Sequence, residues 1–286
     1  MSTKSEIDFL NLPELYWHKF GQSSLHGSLL RLFNRLESVY LGWARELDAE
    51  EHFFPPFLSA SQMARLDYFK SFPHLITIPV VLSGEKENLQ SFADAPFDGD
   101  SCLNLPNLKA PEQVLTPAAC YHFYDELEGK SFAESKFLTT RCVCYRNEAE
   151  YKPLQRQWAF NMREIVCISS IEKVQAFLER FEHLLSSYFA EHNFPVKFEY
   201  ATDPFFNPSS NPKYLLQKLE PVKKEMIYDG HLSIGSLNFH RNFFGETFGI
   251  KHAGEPAFTA CVAFGLERWI YMILKEQGLQ ERDWSF

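Results

Sequence analysis

The sequence predicts an α+β fold in which an antiparallel sheet is flanked by helices. Three observations point to it. Residues 136–148 and 159–168 read as two strands joined by a short polar loop, and a local connection of that kind pairs strands antiparallel. Ile171, Val174, Phe177, Leu178, Phe181 and Leu185 recur at helical spacing over 171–190, which gives a helix one apolar face to lay on a sheet. Neither GxGxxG nor GxxxxGK[ST] occurs, so nothing marks the parallel-sheet nucleotide folds.

The other elements follow in order. MSTKSEIDFLNLP has no apolar core of signal-peptide type. Residues 1–60 are expected to form an N-terminal helical portion. Within it 22–49 is the helix, because Leu25, Leu29, Phe33, Leu36, Tyr40 and Trp43 share a face. Glu51 to Pro56 leads out through a double proline, and Ser59 caps a second helix reaching Phe69. SFPHLITIPVVL (71–82) alternates as a strand interrupted by Pro79, and the polar, Pro/Gly/Asp-rich stretch 83–112 reads as an irregular insertion or lid-like loop. VKFEYATDPFF is a strand entering a Pro/Asn/Ser turn. Residues 213–226 are helical with a break at Pro221, 231–240 form a strand, and a final helix runs over 260–276. No repeat or linker divides the chain, so 1–286 is expected to be a single domain.

With 286 residues, 45% of them hydrophobic and 16% aromatic, the chain can bury a substantial core. A net charge of −9 argues against a broad nucleic-acid footprint but leaves room for a local phosphate site. No apolar run is long enough to span a membrane. The six cysteines, at 102, 120, 142, 144, 167 and 261, form no CxxC pair. With no signal peptide in view, a reducing cytoplasm is the expected location, and the cysteines are core packing or metal ligands.

Arg146 and Glu148 lie two apart on the first hairpin strand, hence on one face, and Arg268 follows Gly265 in an apolar segment. Charges on buried elements need partners, and nucleotide phosphates would be suitable ones. The alternatives are ion pairs of Arg146 with Glu148 or Glu164, and of Arg268 with a neighbouring carboxylate. Glu164 shares strand parity with Phe160 and Met162, while Arg163 points to the other face. Cys144 shares the face of Arg146, and Cys167 has the parity of a packing residue. Cys120, Glu164 and Cys261 are too scattered to suggest a metal site by spacing. Ser233, Gly235, Ser236 and Asn238 are either a pocket floor or the polar face of an ordinary strand.

YRNE (145–148) resembles the Arg-x-Glu core of the second signature motif of class II aminoacyl-tRNA synthetases, and FGLER (264–268) resembles their third, Gly-x-x-Arg. FFPPFLS, YFKSFPHL, AACYHFY, NMREIV, GSLNFHRNFFG and CVAFGLERW occur in the order of a narrower group. Over about residues 22–276 the chain resembles the amino acid–[carrier protein] ligases, relatives of the zinc-dependent atypical seryl-tRNA synthetases. The resemblance implies a six- or seven-stranded antiparallel sheet, a homodimer, and no tRNA-binding domain. The implied activity is ATP- and Mg2+-dependent activation of a small amino acid, glycine or alanine, to an aminoacyl-adenylate. The aminoacyl group then passes to the phosphopantetheine thiol of a carrier protein, and tRNA is not the acceptor.

The resemblance also assigns roles. Arg146 grips the ATP α-phosphate and Arg268 the γ-phosphate; Glu148 bonds the adenine amino group or orients Arg146, and Phe160 stacks on adenine, where without the resemblance it would equally suit core packing. Arg156 and Gln157 belong to the loop that folds over ATP, with Arg156 on the terminal phosphates, and Gly265 permits close approach. Cys120, Glu164 and Cys261 hold zinc, with the fourth tetrahedral position left to the substrate amine. Ser233, Gly235, Ser236 and Asn238 form the pocket floor; Glu225 and Ser236 are candidates for Mg2+. Glu267 serves the helix surface or a supporting contact. Lys213, Lys218, Lys223, Lys224, Arg241 and Lys251 could form a local basic patch for an acidic partner. His122, His231, His240 and His252 receive no role, because a substrate carboxylate attacking ATP needs no base. The presence of Arg146, Glu148 and Arg268 speaks against an inactive, regulatory relative.

Overall fold

The computed structural model describes residues 7–99 and 102–286. Its main sheet has seven strands: β1 (Glu50–His52), β2 (Lys136–Tyr145), β3 (Ala159–Ser169), β4 (Val196–Tyr200), β5 (Lys223–Tyr228), β6 (Leu232–Arg241) and β7 (Phe258–Gly265). Their spatial order is β4-β5-β6-β7-β3-β2-β1. Every neighbouring pair is antiparallel except β1–β2 at one edge. Six helices matter for the site: α1 (Gly27–Arg45), α2 (Tyr121–Glu126), α3 (Ile171–Glu191), α4 (Pro212–Leu219), α5 (Phe243–Phe248) and α6 (Leu266–Gln277). This is the predicted α+β architecture.

The two faces of the sheet are covered differently. On one, Leu36 and Tyr40 of α1, Phe177, Phe181 and Leu185 of α3, and Trp269 and Ile273 of α6 pack on Ile165, Cys167, Leu237, Val262 and Phe264. Tyr40 stacks on Phe264 at 4.4 Å, and Trp269 Nε1 donates to the Ile234 carbonyl at 3.1 Å, so the buried indole keeps a polar partner. On the other face the short helices α2 and α5 cover only one end, through Phe123, Tyr124, Phe244 and Phe248. The rest of that face opens into a cavity of about 480 Å³. Strand alternation sorts β3 between the two: Phe160, Met162 and Glu164 line the cavity, whereas Ile165 joins the helix-covered core. Arg163 turns to that core side, where it meets Glu37 of α1, Glu51 of β1 at 2.8 Å and Thr139 Oγ1 at 3.1 Å. A buried cation there is matched by two carboxylates.

Several expectations change. Residues 260–265 are strand, not helix: β7 is central, and α6 starts only at Leu266. A run buried on both faces loses the two-residue alternation that marks a half-exposed strand. Gln22–Leu25, expected as helix, pairs with Leu15–His18 in a hairpin. α1 begins after it, with its first amides served by the distant Glu14 carboxylate, which accepts from Ser28 N at 2.8 Å. Ser59 does cap its helix, in a reciprocal box with Gln62, but that helix stops at Arg65; Asp67 (φ 57°) separates it from the turn Tyr68–Ser71. Residues 71–82 hold a 3-10 turn at Pro73–Leu75 and extended chain in place of a strand, because Pro73 and Pro79 lack the N–H a ladder needs. The insertion contains a helix, Lys86–Asp94, and its described remainder is largely irregular. α4 ends at Leu219 ahead of Pro221, so Lys223, Lys224 and Glu225 lie on β5. No helix among the described residues is long and apolar enough to cross a membrane.

Candidate functional site

Strand register builds the cavity floor. One row across the sheet aligns Glu225, Ser236, Ala263 and Glu164; the next aligns Lys223, Asn238 and Cys261. Asn238 Nδ2 donates to Ser236 Oγ at 3.0 Å and to Cys261 Sγ at 3.3 Å. Ser233 is set off by a bulge in the β5–β6 pairing. Its carbonyl faces Arg268. Gly235 borders the cavity but is a glycine for another reason: a Cβ there would stand 2.5 Å from the Ala263 carbonyl and 2.6 Å from Met226 Cε, on the packed side. Gly235→Ala is therefore expected to lower stability by about 1–3 kcal/mol, the usual cost of overpacking. Urea unfolding measures this, and an unchanged midpoint would refute the packing account.

Along β3 and β7 the floor leads from Glu164 and Cys261 to two arginines. Arg146 lies one residue past β2; its backbone N–H still donates to the Trp158 carbonyl at 2.9 Å, extending the ladder. Its Nε donates to the Pro117 carbonyl at 3.0 Å, and the guanidinium sits 5.3 Å from the Phe160 ring centre. Arg268, in the first turn of α6, donates from Nε to the Gln155 carbonyl and from Nη1 to the Ser233 carbonyl, both at 2.7 Å. Among the described residues neither guanidinium forms an ion pair, so the carboxylate pairings considered for them do not occur. Burial, and next the charge of Arg146, lower Arg268 to about 10, which leaves it cationic at neutral pH. Two guanidiniums without a direct carboxylate partner thus face one cavity, with Glu148, Asp203 and Glu225 also lining it.

The loop after Arg146 folds back on itself through paired backbone bonds between Lys152 and Arg156, and Leu154 is buried in the core. Glu148 lies in this loop beyond the strand, lines the cavity, and accepts from Arg156 Nη1 at 3.4 Å. Arg156 itself is exposed at the rim and does not line the cavity. Gln157 does line it, with Oε1 accepting from Ser23. Gly265 is not demanded by the protein's own packing: a Cβ there would meet its nearest neighbour, the Ile234 carbonyl, only at 3.6 Å. The space belongs to the cavity.

Cys120, just before α2, Glu164 on β3 and Cys261 on β7 bring three metal-type donors within 4.8 Å of one another, each residue no more than 3% exposed. Glu164 Oε1 accepts from the backbone N–H groups of Ala119 at 2.8 Å and Cys120 at 3.2 Å. Burial, then Cys261 and Glu164, push the Cys120 thiol well up. A hydrogen bond from Cys120 lowers Cys261, but burial and Glu164 raise it overall. Two sulfurs and a carboxylate oxygen so grouped suit a tetrahedral zinc, at about 2.3 Å to sulfur and 2.0–2.2 Å to oxygen, with one position open. A divalent charge would also reverse the upward shifts of the thiols.

Other side chains frame the site. Lys223 Nζ reaches Asp203 Oδ1 and Glu225 Oε1, both at 3.0 Å, and Asp203 accepts from Gln217 of α4 at 2.9 Å. Although burial opposes it, Lys223 and Gln217 hold Asp203 below the usual carboxylate range. Glu267 is buried rather than on the helix surface: its carboxylate accepts from Asn161 N at 2.9 and 3.0 Å and from Asn161 Nδ2 at 2.8 Å, tying α6 to β3. Cys142 and Cys144 pack with Phe160, Met162 and Ala263, and Cys167 lies in the main core. Of the cations considered for partner docking, Lys213 pairs with Asp67, Lys224 with Glu182 and Arg241 with Glu220, and Lys223 is inside the cavity. His240 receives no role from the sequence. It borders the cavity with Nε2 3.6 Å from Cys261 Sγ, and burial pushes it down to about 4, so the ring is neutral near pH 7. Its parity with Ser236 and Asn238 was the available signal; Asp203 had none.

No family model matches the chain. A curated relative, amino acid–[acyl-carrier-protein] ligase 2 of Bradyrhizobium diazoefficiens, is 31% identical over a 294-residue alignment covering 99% of this chain and 87% of the relative. The chain belongs to the amino acid–[acyl-carrier-protein] ligase family. Ligase 1 of the same organism is 32% identical, covering 96% of this chain and 86% of its own length. The type-2 serine–tRNA ligase of Methanopyrus kandleri is 24% identical across 84% of this chain, which spans about half, 50%, of that protein. The seryl-tRNA synthetase of M. kandleri, solved in complex with A. aeolicus tRNASec, superposes with a TM-score of 0.78 at 21% identity, over 95% of this chain and 56% of the other. This member of the ligase family therefore has the class II synthetase fold, as its motifs implied.

Proposed function

We infer that the chain activates a small amino acid, glycine or alanine, with ATP to an aminoacyl-adenylate, and transfers the aminoacyl group to the phosphopantetheine thiol of a carrier protein. The observation that carries this reading is the pair of guanidiniums, neither in a direct ion pair, sharing a cavity with a Cys-Glu-Cys cluster in a member of this ligase family. The amino-acid carboxylate attacks the α-phosphorus and pyrophosphate leaves; the carrier thiol then attacks the carbonyl carbon and AMP leaves. Arg146 stabilises the charge that builds on the α-phosphate, and Arg268, with Mg2+, holds the terminal phosphates. Glu148 and Phe160 receive the adenine, with Gln157 beside them; Arg156, outside the cavity at its rim, would meet the terminal phosphates once its loop folds over ATP. Cys120, Glu164 and Cys261 would hold a zinc ion, which supplies an electrophilic position for the free amine of the amino acid. Ser236, Asn238 and Ala263 leave room for a short side chain, and a difference of one methylene is worth about 1–3 kcal/mol in discrimination. The unit acts as a cytoplasmic homodimeric single-domain enzyme, with the carrier thiol and not tRNA as acceptor.

Amino-acid-dependent ATP–pyrophosphate exchange with glycine, alanine and serine tests the first step. Radiolabelled transfer to holo carrier protein, apo carrier protein or total tRNA tests the second. Exchange with glycine or alanine and label on the holo carrier alone are expected. Charging of tRNA would favour a synthetase instead, and no exchange with zinc and Mg2+ present would sink both readings.

A further inference from the structure

His240 stands on β6 two residues beyond Asn238, at an irregularity in the β6–β7 register between Phe239 and Arg241, and both side chains reach Cys261. Its Nε2 lies 3.6 Å from Cys261 Sγ. Its Nδ1 lies 3.1 Å from Thr259 Oγ1 of β7 and 3.3 Å from the Tyr124 hydroxyl of α2. The ring stands edge-on to Phe244 of α5 at 4.9 Å and 90°, and Phe244 stacks on Tyr124 at 3.6 Å. Three elements therefore fix the orientation of one imidazole.

We propose that His240 is a positioning residue for the metal: as the Nε2–H tautomer it donates to the Cys261 sulfur and, with Asn238, holds that sulfur as a ligating thiolate. This deepens the zinc reading above and rests on it. The tautomer follows from proton counting. A neutral imidazole carries one N–H. Placed on Nδ1, it would leave the Nε2 lone pair facing a sulfur that, as a ligand, has no proton to give. Placed on Nε2, it completes the bond to sulfur, and Nδ1 accepts from the hydroxyl of Thr259 or Tyr124. The Cys261 sulfur then receives two N–H donors, from Asn238 Nδ2 and His240 Nε2. The Glu164 oxygen receives two from backbone amides, while the Cys120 thiol meets the other two ligands. Such outer contacts orient metal ligands and adjust how much charge the sulfur shares with the metal.

Three substitutions in the full chain separate this role from packing. His240→Phe keeps a ring but has no N–H. His240→Gln can put an amide N–H near the Nε2 position, whereas His240→Asn puts it near Nδ1 only. Zinc affinity is read by chelator competition. The thiolate-to-metal charge-transfer band is read with Co2+ in place of zinc, and melting is followed in excess chelator. His240→Phe and His240→Asn are expected to weaken zinc binding about 10- to 100-fold and to move the cobalt band to longer wavelength, with His240→Gln restoring both toward wild type. Melting in chelator should be alike in all four proteins. Where His240→Phe fails to fold, the Asn and Gln variants carry the comparison. Wild-type affinity and an unmoved band in His240→Asn, or a Gln variant as defective as Asn, would overturn the role of His240. Absence of any cobalt band in the wild type would overturn the zinc reading and this role together.

Discussion

Arg146→Lys is expected to lower kcat for amino-acid-dependent ATP–pyrophosphate exchange by about 10²- to 10³-fold, the effect of removing one well-placed donor to a developing oxyanion. A lysine keeps the charge but loses the planar fork, so it cannot bond the Pro117 carbonyl through Nε and a phosphate through both terminal nitrogens at once. Arg146→Ala should be worse. Because the Pro117 bond is also structural, thermal melting accompanies the kinetics. A loss of rate with an intact melt and intact metal content places the defect at the phosphate. A loss of less than tenfold with Arg146→Ala would show that the α-phosphate is held by other groups.

Cys261→Ala is expected to cost at least two orders of magnitude in zinc affinity, more than the removal of an outer contact, and to stop exchange with it. The direct measurement is metal content after gel filtration. A second readout is independent of activity: a metal bound only by the folded state at 1,000 times its Kd adds about 4 kcal/mol of stability. Chelator should therefore lower the melting temperature of the wild type and leave Cys261→Ala unchanged. Zinc retained at full stoichiometry in both Cys261→Ala and Cys120→Ala would remove the cluster from consideration.

Local pattern carried much of the fold into view. α3 and the outer half of β2 could be read directly, because each has one dry face and one wetter one, and periodicity reports that contrast; β3, buried throughout 162–169, was legible as the partner that follows a short polar loop. Periodicity failed where the contrast is missing. Residues 258–265 are buried almost throughout, and such a run looks the same whether it coils or extends. The strand expected at 71–82 had the alternation but not the hydrogen-bond donors. The site divides similarly. Arg146, Glu148 and Arg268 sit in short contiguous motifs, and the opposite orientations of Arg163 and Glu164 followed from strand parity. The Cys120–Glu164–Cys261 cluster is assembled by the pairing of β3 with β7 and the packing of α2, which no spacing in the chain encodes. Only the family resemblance reached it. Gly235 does border the cavity, but what requires a glycine there lies on the packed face, and a residue with no side chain gives the sequence no direction to report.

The two-sided sheet has an evolutionary consequence. On β6 and β7 the cavity-facing residues Ser236, Asn238 and Ala263 alternate with Leu237, Val262 and Phe264, which belong to the helix-covered core. A change at Ser236 or Ala263 alters the volume and polarity offered to the ligand without touching a single aromatic layer behind it. Mutational drift on one side is thereby insulated from foldability on the other. A lineage carrying this scaffold can explore new ligand preferences by single steps, each remaining a folded protein.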